Sequence, residues 1–455
     1  MVVSEMEPFA KTGGLADVAG ALPLALGKLG VKVHAFLPRY GSIREPQPKV
    51  EIGRGVTVQF IDHESYFRRP KLYGESNGDY PDNLERFSFF CRQALERMKM
   101  EKIQPEILHA HDWQAAMSVV TLAAQYRKEP FFSKVRTVFT VHNLAYQGLF
   151  PREEYPKLGL PWELFQMEGL EFWGKVNLLK GGLIFADRLT TVSPTYAREI
   201  QTPDQGEGLD GVLRKRSRNL VGILNGIDQE IWNPAGDSHL SPIRYDADRL
   251  ENKSKVKASL QKEVGLAQKP EAFLMGLVTR LASQKGLDLL VQALPHLLKL
   301  PIQWVILGSG DSAIEKALQS VERQSPSMRL RLGFDNPLAH RIYAGSDAFL
   351  MPSRYEPCGL GQMIALRYGT IPIVRATGGL NDTIRDLDQD PRGGNGFSFR
   401  PYDPIDLTDA IRRALRWFQE KSRWRQVQAK GMATDFSWDK SAKEYVRLYE
   451  QACLS

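Results

Sequence analysis

The sequence predicts an α/β protein of two domains, each an open and largely parallel sheet flanked by helices. Three observations carry this. Short apolar runs, among them residues 348–351 and 371–374, have the continuous hydrophobicity of strands buried on both faces. These runs alternate with segments whose apolar residues recur at helical spacing. Glycine-rich or polar turns stand just past the runs, at the carboxyl ends where open α/β sheets collect ligands. A chain of 455 residues exceeds one ordinary core, so two domains of roughly 200 residues each follow.

Composition narrows the class. Hydrophobic residues make up 42% and charged residues 25%, the balance of a folded globular protein rather than a disordered or membrane one. The formal net charge of +7 is spread along the chain. Its densest basic cluster, Arg214, Lys215, Arg216 and Arg218, reads as a solvated helix face, and no nucleic-acid partner is expected. No apolar stretch approaches the roughly 20 residues of a membrane span, so no membrane partner is expected either. Lys11, Thr12, Gly13, Gly14 and Asp17 occupy the place where a secretory signal needs an apolar core. Three cysteines, at 91, 358 and 453, have neither metal-ligand spacing nor a disulfide framework. A reducing cytoplasm is the expected location; a plant or algal source would imply the plastid stroma, although the chain shows no transit peptide.

Taken in order, the chain opens almost inside a strand at Met1, Val2, Val3 and Ser4. Leu15, Val18, Ala19, Leu22, Leu26 and Leu29 then follow helical spacing, and residues 31–37 form the next strand. Lys11 and the Gly13-Gly14 turn lie at that helix start, positioned for a phosphate, with a plain turn as the alternative because K-T-G-G is not a P-loop. Residues 44–86 read as strands and surface loops, with alternation at 56–61. A helix over 84–99 precedes the strand Ile107-Leu108-His109-Ala110-His111, which runs into Asp112-Trp113. The β-branched strand 137–141 ends in His142-Asn143. Two polar turns after successive strands favour function over core packing. Residues 149–175 hold Phe150, Tyr155, Trp162, Phe165, Phe172 and Trp173, which suit either sugar platforms or the core of a helix pair. Strands at 189–192 and 221–224 follow, the second ending at Asn225-Gly226-Ile227-Asp228. Residues 232–250, with Asn233-Pro234 and Pro242, read as the linker to the second domain.

That domain begins with strand 273–278, followed by Thr279-Arg280 and Lys285-Gly286. Helix 287–298 and strand 303–307 come next. Gly308-Ser309-Gly310-Asp311-Ser312-Ala313 matches the dinucleotide fingerprint, but a complete β-α unit precedes it and a basic pair already stands ready for phosphates. The chain is organised around residues 353–382: the strand 348–351, a loop with Glu356, Cys358 and Gly359, a helix over 361–368, the strand 371–374, and a second loop with Thr377, Gly378 and Gly379. An amphipathic helix over 406–424 and a final helix from about 437 to 453 complete the chain.

K-T-G-G-L-A-D-V, H-A-H-D-W, T-V-H-N, N-G-I-D-x-x-x-W-N-P, T-R-L-x-x-Q-K-G, E-P-C-G-L and R-x-T-G-G-L occur in that order over nearly the whole length. Together they resemble the bacterial glycogen synthase and plant starch synthase family. The resemblance implies the GT-B fold, with Rossmann-like domains at 1–235 and 236–436 facing across a cleft and a helix at 437–455 returning to the first. It implies retaining transfer of glucose from ADP-glucose to the 4-hydroxyl at the non-reducing end of an α-1,4-glucan; no cofactor is expected, and no metal, because Lys11, Arg280, Lys285 and helix N-termini are available to meet the phosphate charge. Residue by residue, it gives Lys11, Arg280 and Lys285 to the diphosphate, with Gly13, Gly14 and the backbone at Thr377, Gly378, Gly379 and Leu380. Glu356 matches the catalytic carboxylate. Asp112, His142 and Asn225 match residues around the transferred sugar and acceptor. Cys358, Gly359 and Leu360 shape the donor loop, and Phe334 corresponds by its distance from E-P-C-G-L to the aromatic that stacks on adenine.

Two features depart from wider patterns. The opening strand is short for the family, and the position eight after Glu356 is Ile364, where many related retaining transferases carry a second Glu. Synthases of this family also lack that second carboxylate. Alternatives are an α-glucan phosphorylase or other GT-B glycosyltransferase and a non-catalytic glucan-binding relative. A retaining glycosidase would need two carboxylates about 5 Å apart, and only one strong candidate is present.

Overall fold

In the computed structural model, which describes residues 1–75 and 78–454, the chain divides into two compact units. One holds residues 1–226 with the returning segment 438–455, the other residues 227–437.

The sheet of the first unit runs in the order Lys49–Gly53, Val56–Ile61, Val33–Pro38, then Ile107–His111, Arg136–Val141, Arg188–Thr191 and Leu220–Gly222. All neighbours are parallel except Lys49–Gly53, which pairs antiparallel at the edge. Between Val33–Pro38 and Ile107–His111 the opening residues fill the gap: Val2 bridges Phe36 on one side and Ala110 on the other. Val2 N donates to His109 O at 2.8 Å and Val3 N to Phe36 O at 3.1 Å, so the short first strand is the sheet's central tie. Most positions of the inner strands are buried, which is why their sequences run apolar rather than alternate.

Helices Gly14–Lys28, Asn83–Met100, Asp112–Thr121 and Leu178–Phe185 cover this sheet. The final helix, Trp438–Leu454, belongs to the same unit and packs on Gly14–Lys28 through a buried stripe of Trp438, Ala442, Tyr445, Leu448 and Ala452. The aromatic stretch is not a helix pair. Leu149–Pro151, Lys175–Asn177 and Glu171–Phe172 form a small antiparallel sheet with 3-10 turns at Arg152–Leu158 and Trp162–Leu164. Pro151, Pro156 and Pro161, with Gly159 and Gly174 at positive φ, break helical continuity there.

The second unit carries a six-stranded, wholly parallel sheet in the order Met328–Leu332, Ile302–Gly308, Phe273–Val278, Ala348–Met351, Ile371–Arg375 and Phe397–Phe399. One face is packed by Leu287–Leu297 and Pro404–Gln419 around Trp304, Phe273, Leu290 and Ile411. The helix expected over 406–424 is two helices, Pro404–Gln419 and Lys421–Ala433, with a bend at Glu420 (φ −85°, ψ 75°). The bend lets Phe418 and Trp424 both reach Phe273, at ring-centroid distances of 4.9 and 5.8 Å.

The segment 232–250 is not a linker. Trp232 stacks on His340 at 4.1 Å, buried Asp237 accepts from Tyr368 Oη at 2.6 Å, and Tyr245 Oη donates to Tyr368 O at 2.8 Å. The unit therefore begins at Ile227, earlier than residue 236. Its prolines make turns, but its aromatic side chains anchor it. Among the described residues no helix is long and apolar enough to cross a membrane.

Candidate active site

In the second unit the chain builds outward from Phe273–Val278 to Ile302–Gly308 and Met328–Leu332, then returns to place Ala348–Met351 on the other side of Phe273–Val278. That reversal sets the loops following the two central strands side by side, the place where open α/β sheets bind ligands. Arg280 and Lys285 lie on one loop, Glu356 on the other. Lys285 Nζ donates to both Glu356 oxygens, at 2.9 and 2.7 Å, and Ser353 Oγ donates to Oε2 at 2.9 Å. The Glu356 side chain is 7% exposed and that of Lys285 20%. Sequence reasoning gave these two residues separate partners; the fold makes them one ion pair. Ser353 was missed as a partner, its only signal being a hydroxyl three residues before Glu356. Arg280 is exposed, its guanidinium 3.3 Å from Gln284 Oε1.

Glycines let these loops touch backbone to backbone. A Cβ on Gly286 (φ 73°) would meet Pro352 O at 2.0 Å, one on Gly378 (φ 46°) Glu356 O at 1.9 Å, and one on Gly379 Cys358 O at 2.0 Å. Gly379 N also donates to Glu356 O at 3.2 Å and Pro357 O at 3.1 Å. Thr377 stands at the start of the short helix Gly378–Thr383, so the T-G-G turn is laid directly on the E-P-C-G loop. Cys358 is buried, Gly359 has φ 72°, and Leu360 leads into Gly361–Arg367. Gln362, absent from the sequence-derived set, braces the loop by donating to Cys358 O at 3.1 Å and Gly359 O at 2.9 Å.

Phe334 is 91% exposed, directly after Met328–Leu332 and Gly333, so it is not a core aromatic. The fingerprint at 308–313 has a packing explanation. A Cβ on Gly308 would meet Thr279 O at 1.8 Å and one on Gly310 Leu281 O at 2.5 Å. Asp311 caps the following helix through Ala313 N, and Glu315 Oε1 accepts from Gly310 N at 2.8 Å. Two carboxylates thus occupy a helix start that a phosphate would need.

The first unit gathers its own set at the carboxyl edge. Glu5, missed by sequence reasoning, is 4% exposed and accepts from Thr12 N at 2.5 Å, Thr12 Oγ1 at 2.6 Å, Gly13 N at 3.1 Å and Tyr73 Oη at 2.7 Å. It holds the K-T-G-G loop. Lys11 pairs with Asp17 at 2.7 Å and lies 3.7 Å from Glu7, and these carboxylates raise its pKa against the opposing effect of burial. At Gly13 and Gly14 a Cβ would meet nothing within 4 Å, so no intramolecular contact calls for glycine there.

Asp112 begins its helix with φ 57°, a left-handed conformation uncommon outside glycine. Its Oδ1 accepts from His142 N at 2.7 Å, and burial pushes its carboxyl up to about 7. His142 Nε2 lies 2.9 Å from His111 Nδ1, and burial lowers the His142 imidazole to about 3, so the ring is neutral. Asn225, at the turn after Leu220–Gly222, is buried, and its Oδ1 has no hydrogen-bond partner among the described residues. The basic cluster is partly structural: Arg216 caps carbonyls at the end of Leu178–Phe185, among them Leu183 O at 3.0 Å. Among the described residues no group of three or more His, Cys, Asp or Glu could hold a metal ion.

Comparison with known proteins agrees along the whole chain. The family described as "Starch synthase catalytic domain" matches residues 1–215, and "Glycosyl transferases group 1" matches 258–430. A glycogen synthase of Anaeromyxobacter dehalogenans is 50% identical over 467 aligned residues, covering 98% of each chain. A glycogen synthase of Koribacter versatilis is 47% identical, covering 99% of this chain and 97% of its own. The catalytic domain of starch synthase IV from Arabidopsis thaliana, solved bound to ADP and acarbose, superimposes with a TM-score of 0.91 at 37% identity, covering 100% of this chain and 99% of its own. A sucrose-phosphate synthase of Thermosynechococcus elongatus, 17% identical with a TM-score of 0.62, covers 99% and 97% and shares the fold. With its motifs, its two parallel-sheet units and these relatives in agreement, the chain belongs to the glycogen synthase and starch synthase family of GT-B glycosyltransferases.

Proposed function

We propose that this protein extends an α-1,4-glucan by transferring glucose from ADP-glucose to the 4-hydroxyl at the non-reducing end, with retention of configuration. The observation that carries the reading is the Lys285–Glu356 pair at the reversal point of the second sheet. As the bond between glucose and phosphate breaks, negative charge grows on the departing oxygen and positive charge on the sugar ring. A cation and a carboxylate fixed side by side offer one partner to each. Arg280 supplies a second, exposed cation for the diphosphate. Lys11 is paired with Asp17 and lies near Glu7, so a phosphate would have to draw it away from those carboxylates. Phe334 offers its open face to the adenine. His142, Asp112 and Asn225 meet sugar hydroxyls, and the unpartnered Asn225 Oδ1 suits such a donor. In this reading Arg280 and Lys285 meet the phosphate charge without a metal. ADP and acarbose on the starch synthase IV relative fit a nucleotide donor and a glucan acceptor.

The test is a coupled assay of nucleoside diphosphate release, ADP from ADP-glucose or UDP from UDP-glucose, on a glycogen primer, followed by β-amylase digestion of the product. Faster turnover with ADP-glucose and a fully digestible extension are expected. Glucose release without chain growth would identify a hydrolase. Growth from glucose 1-phosphate, with the absorbance of a bound pyridoxal aldimine, would identify a phosphorylase.

A further inference from the structure

His111 ends the strand Ile107–His111 and is fully buried. Its Nδ1 lies 2.9 Å from His142 Nε2, with the two rings stacked at 5.3 Å and 29°. On its other side the His111 ring packs against His109 at 4.1 Å. His109 is itself fixed at both nitrogens, by Thr140 Oγ1 at 2.6 Å and by Tyr449 Oη of the final helix at 2.8 Å. The position of His142 is set from its backbone as well, because His142 N donates to Asp112 Oδ1. His111 Nε2 is buried and has no hydrogen-bond partner among the described residues.

Burial keeps all three imidazoles neutral. One proton therefore lies between His111 Nδ1 and His142 Nε2, and its owner decides what His142 presents elsewhere. If His142 Nε2 carried it, His111 would hold its own proton on Nε2, leaving a buried N–H with no acceptor. If His111 Nδ1 carries it, the atom left over is an unprotonated nitrogen. Orphaned buried N–H groups are rarer than orphaned acceptors. The geometry points to His111 as a positioning residue that donates from Nδ1 to His142 Nε2 and so holds His142 in the tautomer protonated at Nδ1. His142 is half-buried and thereby offers an N–H donor, not a bare nitrogen, to a substrate oxygen. The substrate class rests on the transferase reading above; the tautomer does not.

The test separates the two. In protein labelled with ¹⁵N at histidine, two-bond ¹H–¹⁵N spectra report which ring nitrogen carries the proton, and His142→Ala identifies the His142 signals. The native protein should show His142 protonated at Nδ1. His111→Asn, whose amide nitrogen falls near the Nδ1 position, should keep that pattern, and His111→Leu should lose it. With ADP-glucose and glycogen, His111→Leu should lower kcat by about 10-fold or more, with His111→Asn recovering most of the loss. A native spectrum with His142 protonated at Nε2 overturns the proposal, as does an unchanged His142 tautomer in His111→Leu. Absence of transferase activity in the native protein would refute the function and leave the tautomer assignment intact.

Discussion

Removing Lys285 should injure this protein twice, once in stability and once in chemistry, and only the first injury should be repairable by removing its partner. Glu356 is 7% exposed and takes two hydrogen bonds from Lys285, so Lys285→Met strands a carboxylate that keeps only Ser353 Oγ. Breaking a buried pair from one side costs about 3–5 kcal/mol. The 20% exposure of Lys285 admits water, which places this case near about 2–3 kcal/mol. For a unit the size of residues 227–437 that corresponds to a fall of roughly 5–10 °C in Tm. Glu356→Gln keeps shape and leaves the more exposed ammonium, so its stability loss should be smaller. The double variant leaves no stranded charge. Its Tm should lie above that of Lys285→Met, with a coupling of at least about 1 kcal/mol, beyond the additivity error of about 0.5 kcal/mol. Turnover should not recover, because transition-state charges then lack both partners. Glu356→Gln alone should lower kcat by about 10²–10³ per folded molecule while donor KM stays close to native. Calorimetry and initial rates on the same four preparations decide it. Additive Tm losses would mean that the pair carries no energy, and near-native kcat for Glu356→Gln would remove Glu356 from the catalytic residues.

Four further outcomes are expected. Gly379→Ala places a Cβ 2.0 Å from Cys358 O and must displace the donor loop; kcat should fall by about 10²-fold, and a rate within twofold of native would show that the loop yields freely. Phe334→Ala should raise donor KM by the about 1–3 kcal/mol of a lost base stack without lowering Tm, and an unchanged KM would strip Phe334 of its role. The folded pKa of Asp112, about 7, lies above its unfolded value of about 3.9, so its stabilising contribution is whole below about pH 4 and lost as pH rises through about 7. Asp112→Asn should therefore gain on the native protein by on the order of 2 kcal/mol between pH 5 and 8, and a pH-independent difference would contradict the raised pKa. EDTA should leave the transfer rate unchanged, because Arg280 and Lys285 are assigned the phosphate charge; loss of activity restored by Mg²⁺ or Mn²⁺ would overturn that assignment.

Much of the architecture was legible in the chain. Strands buried on both faces write themselves as apolar runs, and Phe273–Val278, Ala348–Met351 and the helix starting at Leu287 were readable from local pattern alone. So were the loops that carry the site, since glycine and polar residues after a buried strand mark its carboxyl end. Local pattern failed where the deciding partner is distant in sequence. Trp232 and Tyr245 sit among turn-forming residues, and only His340 and Tyr368, a hundred residues or more away, turn that segment into packed structure. The G-x-G-x-x-A motif resembled a phosphate loop until Thr279 O and Leu281 O accounted for its glycines.

At the site the division is similar. The residues proposed for charge stabilisation, Arg280, Lys285 and Glu356, were named by the sequence and its family resemblance. That Lys285 and Glu356, 71 residues apart, share a bidentate ion pair was decided by the sheet reversal that sets their loops side by side. Glu5 and His111 were overlooked because a single acid or imidazole beside a strand has no local signature; their roles arise from the Thr12 and Gly13 amides and the His142 ring that the fold brings to them. Local pattern marked most of the strands and helices and the residue types available for chemistry, because periodicity and residue type are local. Tertiary structure alone decided which of those groups touch, because hydrogen bonds and ion pairs act over about 3 Å while the chain separates their members by tens of residues.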